Sequence, residues 1–407
     1  MALAKLRLSK TASNILFNKV GSSNLKLFFL TSHPMSMVVF MLPHLRALTP
    51  YWRLHVLANT KEADMLQKRG LDLPVEFAPV ERHIRPLADI KALWFLFKKF
   101  KAERPIVVHT LTPKAGLLGM CAAWLARVPV RVHTFTGQVW VTRQGPMRWA
   151  LKAADQCIAF LATDVLVDSP SQRRFLIQEG VVSFQGSSVL AEGSICGVDT
   201  QRFIPSHQAR QHVRADMGSS NDALVCLYLG RLNRDKGVLD LASAFAQVAK
   251  KHPRAELWVV GPDENDMFAH MQTILRASSQ QVRRVGYTEV PERFMQAADL
   301  FCLPSYREGF GSSVIEAAAC GVPALVSRIY GLTDAVVEGQ TGWAFEAGNV
   351  EDLAAQLDAL LAASSQLQSR GEAARANVVR VFEQSFITSA MLAFYKARLK
   401  TLEAKDA

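Results

Sequence analysis

Short apolar runs alternate with longer helical patterns along the whole chain. Five runs in the first half have the unbroken apolar character of strands that are buried on both faces of a sheet, namely LKLFFLT, RLHVLAN, PIVVHT, VRVHTF and DVLVDS. Helical patterns such as DIKALWFLFKKFKAERP and PKAGLLGMCAAWLARVP lie between them. This alternation predicts a parallel sheet with helices on both faces.

The second half restarts the same rhythm with ALVCLYLG, AELWVVG, ADLFCLPS and PALVS. Together the two halves of this 407-residue chain predict two doubly wound, Rossmann-like α/β domains with a cleft between them. The polar stretch IPSHQARQHVRADMGSSNDA marks a boundary, so we expect an N-terminal domain over residues 1–205 and a C-terminal domain over residues 206–384. We expect the amphipathic tail, residues 385–407, to pack back on the first domain.

Positive charge is concentrated in the first half. Residues 1–205 hold 26 Lys and Arg against 13 Asp and Glu, a balance of +13, whereas residues 206–407 hold 21 against 23, a balance of −2. This asymmetry indicates an acidic partner for the first half, either nucleic acid, an anionic membrane surface or a polyanionic ligand. A solvated basic surface is the alternative.

Cysteine usage and the apolar segments indicate a cytoplasmic protein. The six cysteines have neither CxxC spacing nor histidine partners, which is typical of buried thiols in a reducing compartment. The leading segment MALAKLRLSKTASNILFNKVGSSN is too polar for a signal-peptide core. The run LFFLTSHPMSMVVFMLP is interrupted by His33 and Pro34, so we do not expect it to span a membrane.

Candidate chemistry lies where the predicted strands end, since ligands of such sheets bind beyond the carboxyl ends of the strands. In YLGRLNRDKG, Arg231 and Lys236 follow a strand, and Gly237 opens a helix. Two cations beside a helix N-terminus make a site for a diphosphate. A solvated basic turn is the alternative interpretation.

The stretch REGFGSSVIEAAACGVP places Glu308 on a glycine-rich turn and Glu316, with seven residues between them, inside a predicted helix. Eight positions on one continuous helix would set the two side chains about 80° apart, so they are not a stacked pair. A loop carboxylate and a helix carboxylate instead converge on one ligand, with Glu308 on sugar hydroxyls and Glu316 on a ribose.

The residues between these glutamates support the same interpretation. Gly309 and Gly311 let the backbone approach a ligand, and Ser312 or Ser313 is expected to cap the helix. Phe310 lies between the two glycines.

Two further strand ends are candidates for holding a nucleobase. Gly261 follows ELWVV, and Tyr287 follows VRRVG, although ordinary packing is an alternative for the tyrosine. The nearby sequence DEND does not flank apolar strands as an Asp-x-Asp metal motif would, and we interpret it as a solvated loop.

In the first half, His109 and His133 stand at successive strand ends, where they are either structural or face the cleft. Lys114 begins a helix and is a candidate for meeting an acceptor phosphate. The stretch VWVTRQGPMRWALK combines Trp140 and Trp149 with basic residues, which suits a membrane interface or, alternatively, a buried aromatic pair with a solvated rim.

Taken together, these residues resemble the retaining glycosyltransferases of family 4, which have the GT-B fold, from about Lys26 to about Arg398. REGFGSSVIEAAACGVP resembles that family's E-x7-E element, GRLNRDKG its diphosphate clamp, and SICGVDTQRF its interdomain turn, with Cys196 where asparagine is usual. His133, the first residue of HTFTGQVW, matches the family's histidine near the reacting centre. The family's Gly-Gly turn after the first strand is absent, and His33 or Ser32 stands there instead.

The resemblance implies an enzyme that transfers a sugar from a nucleotide donor, UDP-linked rather than GDP-linked. The segments VHTLTPKAGLLG and VPVRVHTFTGQVW most resemble bacterial enzymes that extend lipid-linked surface saccharides with amino sugars. The implied acceptor is a saccharide on a polyprenyl diphosphate, as in O-antigen or similar surface glycans, which predicts a cytoplasmic protein peripheral to the inner face of the cell membrane. No metal or other cofactor is required. A soluble sugar-phosphate acceptor is the nearest alternative. A nucleic-acid-binding regulatory protein is disfavoured, because no basic recognition helix is evident.

Overall fold

The computed structural model describes residues 24–406. The first sheet has seven strands in the order β3-β2-β1-β4-β5-β6-β7. Its strands are β1 (Lys26–Thr31), β2 (Arg53–Ala58), β3 (Val75–Phe77), β4 (Val107–Leu111), β5 (Val130–Phe135), β6 (Asp164–Val167) and β7 (Ser187–Ser188). The pairings from β3 through β5 are parallel.

The second sheet has six strands in the order β10-β9-β8-β11-β12-β13, all paired in parallel. Its strands are β8 (Leu224–Leu229), β9 (Ala255–Val260), β10 (Val282–Val285), β11 (Leu300–Leu303), β12 (Ala324–Ser327) and β13 (Gly342–Phe345). Both sheets reverse their strand order next to the first strand, between β1 and β4 and between β8 and β11. Such a reversal creates a crevice at the carboxyl ends of the strands, where ligands bind.

Helices connect the strands of both sheets. The α-helices are α1 (Pro34–Ser36), α2 (Leu42–Leu48), α3 (Pro86–Glu103), α4 (Pro113–Leu125), α5 (Gly145–Leu161), α6 (Pro170–Gln178), α7 (His207–Asp216), α8 (Val238–Val248), α9 (Met267–Ile274), α10 (Pro291–Ala297), α11 (Ser312–Ala319), α12 (Leu332–Ala335), α13 (Val350–Ala362), α14 (Ser365–Val381) and α15 (Gln384–Asp406). A π-helix over Met37–Met41 joins α1 to α2. Short 3₁₀ turns span Gln67–Arg69, Val139–Thr142, Arg234–Lys236 and Arg276–Gln281.

The described residues form two compact units. The first contains residues through 134, residues 154–166 and the chain from residue 388 onward, and the second contains residues 135–153 and 167–387. The tail helix α15 therefore begins in the second unit and continues in the first, where Tyr395 is buried against Phe29 and His109. The proposed domain boundary near residue 205 stays a prediction.

The apolar runs correctly predicted the two parallel sheets. Their pattern did not indicate β3, β7 or β13, which are short strands at or near sheet edges and carry little periodic signal. The polar stretch expected to be a linker contains helix α7. Arg214 on this helix is buried and pairs with Asp299 at 2.7 Å, which anchors the stretch to the second unit.

All six cysteines are free thiols, four of them buried and two, Cys121 and Cys157, half-buried. Within residues 24–406, no helix has both the length and the apolar character needed to cross a membrane.

Candidate functional site

The turn after β8, residues 230–237, forms at the point where the second sheet reverses its strand order; we call it the clamp turn. Gly237 has a left-handed φ of 64°, and an added Cβ there would lie 2.0 Å from the carbonyl oxygen of Pro304. Only glycine permits this approach, because a side chain would collide with backbone. The clamp turn is thereby packed against the loop that follows β11.

That second loop, residues 304–311, carries Glu308 and is called the glutamate turn below. The Lys236 ammonium contacts the Glu308 carboxylate, which also accepts a hydrogen bond of 2.8 Å from the Ser305 hydroxyl. An ion pair of 2.9 Å between Arg307 and Asp235 joins the same two turns a second time. The cation predicted to hold a diphosphate and the carboxylate predicted to hold sugar hydroxyls are therefore in contact.

Arg231 leaves the clamp turn half-exposed, with 45% of its side chain accessible, and pairs with Glu264 at 2.8 Å. Glu264 also accepts a hydrogen bond of 2.9 Å from Asn233. The DEND sequence is therefore not merely solvated, since its Glu264 holds Arg231 and its Asp263 accepts hydrogen bonds from backbone N–H groups at the start of α9. The position of DEND directly after a strand end was the feature of the sequence that could have predicted this contact with Arg231.

Close backbone contacts surround the glutamate turn within the second unit. An added Cβ at Gly309 would lie 2.6 Å from a carboxylate oxygen of Asp168 and 2.8 Å from the carbonyl carbon of Thr136. An added Cβ at Gly137 would lie 3.1 Å from the Gly309 nitrogen, and one at Gly331 would lie 2.5 Å from the Gly309 oxygen. These glycines fix the position of the turn that holds Glu308.

Asp168 and Gln138 place buried polar atoms beside this turn. Burial raises the pKa of the Asp168 carboxyl well above its usual range, which favours the neutral acid. Asp168 Oδ1 and Gln138 Nε2 are buried without a hydrogen-bond partner among the residues that the structure describes. Sequence reasoning passed over Asp168, because a single carboxylate at a strand end has no distinguishing spacing.

The helix after the glutamate turn is capped differently from the expectation. Gly311, with a φ of 80°, is the N-cap of α11, and no side chain caps it, so Ser312 is the first helical residue and the expected serine cap is wrong. Phe310 is buried in the core against Phe382, with ring centroids 5.1 Å apart. Its side chain is therefore unavailable to a ligand, and only its backbone remains a candidate.

Glu316 lies on α11, five residues after its N-cap. Burial raises the pKa of its carboxyl to about 7; the positive charge of Arg202 opposes this rise, and the negative charge of Glu292 adds to it. No hydrogen bond to the Glu316 carboxylate occurs among the described residues. The residue is only partly buried, and a carboxyl with a pKa raised to about 7 is typical of a ligand site.

The two turns proposed to hold a base lie at adjacent strand ends. Gly261 has a φ of 135°, and an added Cβ would lie 2.0 Å from the Gly230 oxygen, so the turn after β9 packs directly on the clamp turn. Arg284 donates a hydrogen bond of 2.6 Å to the Gly261 carbonyl oxygen, which fixes its orientation. Tyr287 is exposed, so ordinary core packing does not explain it.

In the first unit, His133 is buried on β5 and its Nδ1 lies 2.8 Å from the Thr110 hydroxyl oxygen. Burial lowers its pKa to about 3, so the imidazole is neutral at pH 7. An added Cβ at Gly116 would lie 2.5 Å from its Cε1, which shows how closely α4 covers the ring.

Two acceptor-side candidates are engaged by other residues of the protein. His109 is fully buried, with Nδ1 2.5 Å from the Tyr395 hydroxyl oxygen and Nε2 2.7 Å from the Thr134 hydroxyl oxygen, so it fastens α15 to the sheet and is not available to an acceptor. Lys114 pairs with Asp89 at 2.5 Å and donates to the His83 carbonyl, so its charge is already engaged. The sequence did not reveal these partners because they lie far away along the chain, and the acceptor-side role of Lys114 stays a prediction.

The turn after β1 keeps the expected polar character. His33 is exposed, and the buried Ser32 hydroxyl lies 2.8 Å from that of Thr112 at the end of β4. These residues lie at the carboxyl ends of β1 and β4, where the first sheet reverses its strand order.

The two tryptophans of the aromatic and basic stretch after β5 differ in burial, so each matches a different one of the two interpretations, a buried aromatic pair or a membrane interface. Trp140 is buried, stacks on Phe175 and lies beneath Arg148 and Lys152, which matches a buried aromatic with a basic rim. Trp149 is 71% exposed.

Among residues 24–406, no cluster of three or more His, Cys, Asp or Glu side chains could hold a metal ion.

Comparison with known families identifies both halves of the chain. The family model of glycosyl transferases group 1 matches residues 209–377, and that of the glycosyl transferase 4-like domain matches residues 35–183.

Curated relatives extend over most of the chain. The capsular polysaccharide biosynthesis glycosyltransferase CapM of Staphylococcus aureus is 28% identical over 329 residues, 80% of this chain and 86% of CapM. The UDP-Gal:alpha-D-GlcNAc-diphosphoundecaprenol alpha-1,3-galactosyltransferase of Escherichia coli is 28% identical over 275 residues, 66% of this chain and 70% of its own.

Among solved structures, Anabaena HepE in complex with UDP and glucose matches with a TM-score of 0.77 and 19% identity, over 92% of this chain and 100% of HepE. At this identity the match shows the fold alone. Two parallel Rossmann-like sheets, matched along nearly the whole chain, are the GT-B fold. The matches to both family models, one in each half, show that the chain belongs to the group 1, or family 4, glycosyltransferases.

Proposed function

We propose that this glycosyltransferase moves a sugar, with retention of configuration, from a UDP-linked donor to a saccharide carried on a polyprenyl diphosphate. One observation carries the proposal: Lys236 and Glu308, from two separate turns, are in contact where the second sheet reverses its strand order. A cation for a diphosphate and a carboxylate for sugar hydroxyls are thereby brought together at the edge where such sheets bind ligands.

The proposed chemistry uses charge stabilisation more than proton transfer. As the bond from sugar to diphosphate breaks, negative charge grows on the leaving group, and Arg231 and Lys236 stabilise it together with backbone N–H groups of nearby helix starts. Glu308 holds the donor sugar, and Glu316 accepts hydrogen bonds from the ribose. The role of the neutral His133 near the reacting centre rests on the family resemblance alone, because its ring is buried beneath α4 and hydrogen-bonded to Thr110.

Relatives support UDP as the nucleotide. The E. coli relative is named for a UDP-galactose donor and a diphosphoundecaprenol-linked acceptor, and HepE was solved with UDP and glucose. The S. aureus relative is named for capsular polysaccharide biosynthesis, which also concerns surface glycans. These names favour a lipid-linked acceptor and surface-glycan synthesis. We further propose that the glycan is O-antigen-like and that the enzyme works at the inner face of the cell membrane.

A panel of UDP- and GDP-sugars, with and without a polyprenyl-diphosphate disaccharide, tests the proposal through release of the free nucleotide. We expect release from one UDP-sugar to rise when the lipid-linked acceptor is added. Release that responds only to a soluble sugar phosphate would favour the disaccharide-phosphate alternative. Release from GDP-sugars alone would contradict the choice of nucleotide.

A further inference from the structure

Helix α3 of the first unit exposes an apolar stripe where a solvated helix would be polar. Leu87, Ile90 and Trp94, at positions i, i+3 and i+7, are 79%, 63% and 56% exposed. The opposite face packs into the unit through its buried residues, Ala92, Leu96 and Phe100. Since the inward face already supplies the packing that the helix needs, the outward stripe serves something else.

Three lysines flank this stripe on the same face. At 100° per residue, Ile90, Lys91, Trp94, Lys98 and Lys101 all project within about 60° of Leu87. Lys98 lies over the Trp94 ring, 5.1 Å from its centroid. Lys91, Lys98 and Lys101 are exposed, and none forms an ion pair within the described part of the chain.

The acidic side chains of α3 project from the opposite side of the helix, about 160° to 200° from Leu87, and are engaged there. Asp89 on α3 pairs with Lys114 at 2.5 Å, and Glu103 pairs with Lys26 at 2.7 Å. The outward face of α3 is therefore apolar and positively charged, with an interfacial tryptophan. Phospholipid surfaces with anionic headgroups have the complementary chemistry, because apolar side chains enter the acyl boundary while lysines reach the headgroups.

We propose that the outward face of α3 docks on an anionic phospholipid surface, with Leu87, Ile90 and Trp94 entering the interface and Lys91, Lys98 and Lys101 on its phosphates. This inference rests on the proposed function, since a lipid-linked acceptor confines the enzyme to a membrane. Lys99, on the same helix, does not belong to this face. Lys99 pairs with Glu76 and lies 5.9 Å from the Phe28 ring centroid, so it is a structural residue and not a membrane contact.

The test is sedimentation of the full chain with vesicles of phosphatidylethanolamine and phosphatidylglycerol, at low and high salt. The stripe variant is Leu87→Gln, Ile90→Gln and Trp94→Gln. Its matched control replaces three exposed apolar residues of the second unit, Val337→Gln, Val379→Gln and Phe386→Gln. Thermal unfolding and UDP affinity are measured for each variant, and both should stay at the wild-type value.

We expect the stripe variant to bind the vesicles at least about tenfold more weakly than wild type. Each apolar side chain that no longer enters the interface should lower the binding affinity several-fold, and the variant removes three of them. The control variant should bind as wild type does. Replacing Lys91, Lys98 and Lys101 with glutamine should weaken binding at low salt and flatten its salt dependence, whereas the stripe variant should keep its salt dependence.

The outcomes separate this inference from the proposed function. Wild-type sedimentation with undiminished binding of the stripe variant would overturn the α3 surface while leaving a membrane acceptor in place. No wild-type sedimentation would overturn both. If the stripe variant instead abolished a concentration-dependent dimer in ultracentrifugation, a second copy would cover the face, and the inference would be wrong.

Discussion

The cations of the site are paired with carboxylates of the protein itself. Lys236 contacts Glu308, and Arg231 contacts Glu264. In the proposed reaction, a bound diphosphate would compete with these carboxylates for the two cations, which would link the positions of Glu308 and Glu264 to the occupancy of the site.

Removing either cation should slow turnover strongly. Arg231→Ala and Lys236→Ala should each lower kcat by about 100-fold, since contacts to developing charge contribute roughly 3 kcal/mol. Arg234→Ala is a matched control, because this exposed arginine lies in the same clamp turn and its loss changes the net charge equally. Near-normal rates in both variants, or an equal loss in the control, would contradict the assignment.

Glu316 predicts a specific pH dependence of UDP binding. Because the folded-state pKa of its carboxyl is raised to about 7, the carboxylate that we propose to accept ribose hydroxyls forms only as the pH rises through 7. UDP affinity should therefore rise by about tenfold between pH 6 and pH 8, following the ionised fraction. In Glu316→Gln only the titration of UDP itself should remain, whereas Glu351→Gln, at an exposed position on α13, should behave as wild type.

The same residue should make the stability of the protein fall as the pH rises, whereas UDP affinity should rise. A raised folded-state pKa means that the folded protein binds this proton more tightly, so the free energy of unfolding falls as the pH rises from about 4.5 to 7. Glu316→Gln should therefore be more stable than wild type at pH 8 and similar near pH 4. Equal denaturant midpoints for the two proteins at both pH values would show that the carboxyl is not buried.

At the scale of elements, α15 is joined to the first sheet by a buried hydrogen bond between residues separated by 286 positions in sequence, His109 and Tyr395. Tyr395 also meets Phe29 and Trp52 edge-on. The helix that ends the chain is therefore part of the core of the first unit.

Breaking this bond should destabilise the protein without disturbing donor binding. Tyr395→Phe leaves the His109 Nδ1 buried without its partner, which costs roughly 1–3 kcal/mol in urea unfolding. Tyr287→Phe, at an exposed position in the second unit, is the control and should change stability little. A Tyr395→Phe protein as stable as wild type would show that water or another group satisfies the histidine.

At the scale of the whole molecule, charge stabilisation in the proposed reaction comes from Arg231, Lys236 and backbone N–H groups. Activity should accordingly survive EDTA at the rate measured without it. Loss of activity in the chelator that Mg²⁺ or Mn²⁺ restores would contradict this prediction and direct attention to Asp263 and Glu264.

The sequence by itself determined the two parallel sheets, the strand ends that carry Arg231, Lys236 and Glu308, and the family. These features are local: unbroken apolar runs specify buried parallel strands, and a glycine-rich turn between a strand and a helix specifies where backbone meets ligand.

Only the tertiary structure decided which of the candidate side chains are already occupied. His109 and Lys114 are engaged by Tyr395 and Asp89, and Phe310 lies in the core. It also placed Asp168 against Gly309 and turned the apolar stripe of α3 outward. A residue pattern records which side chains share a helix or strand face, but burial and pairing depend on residues far away in sequence that the folded chain brings together.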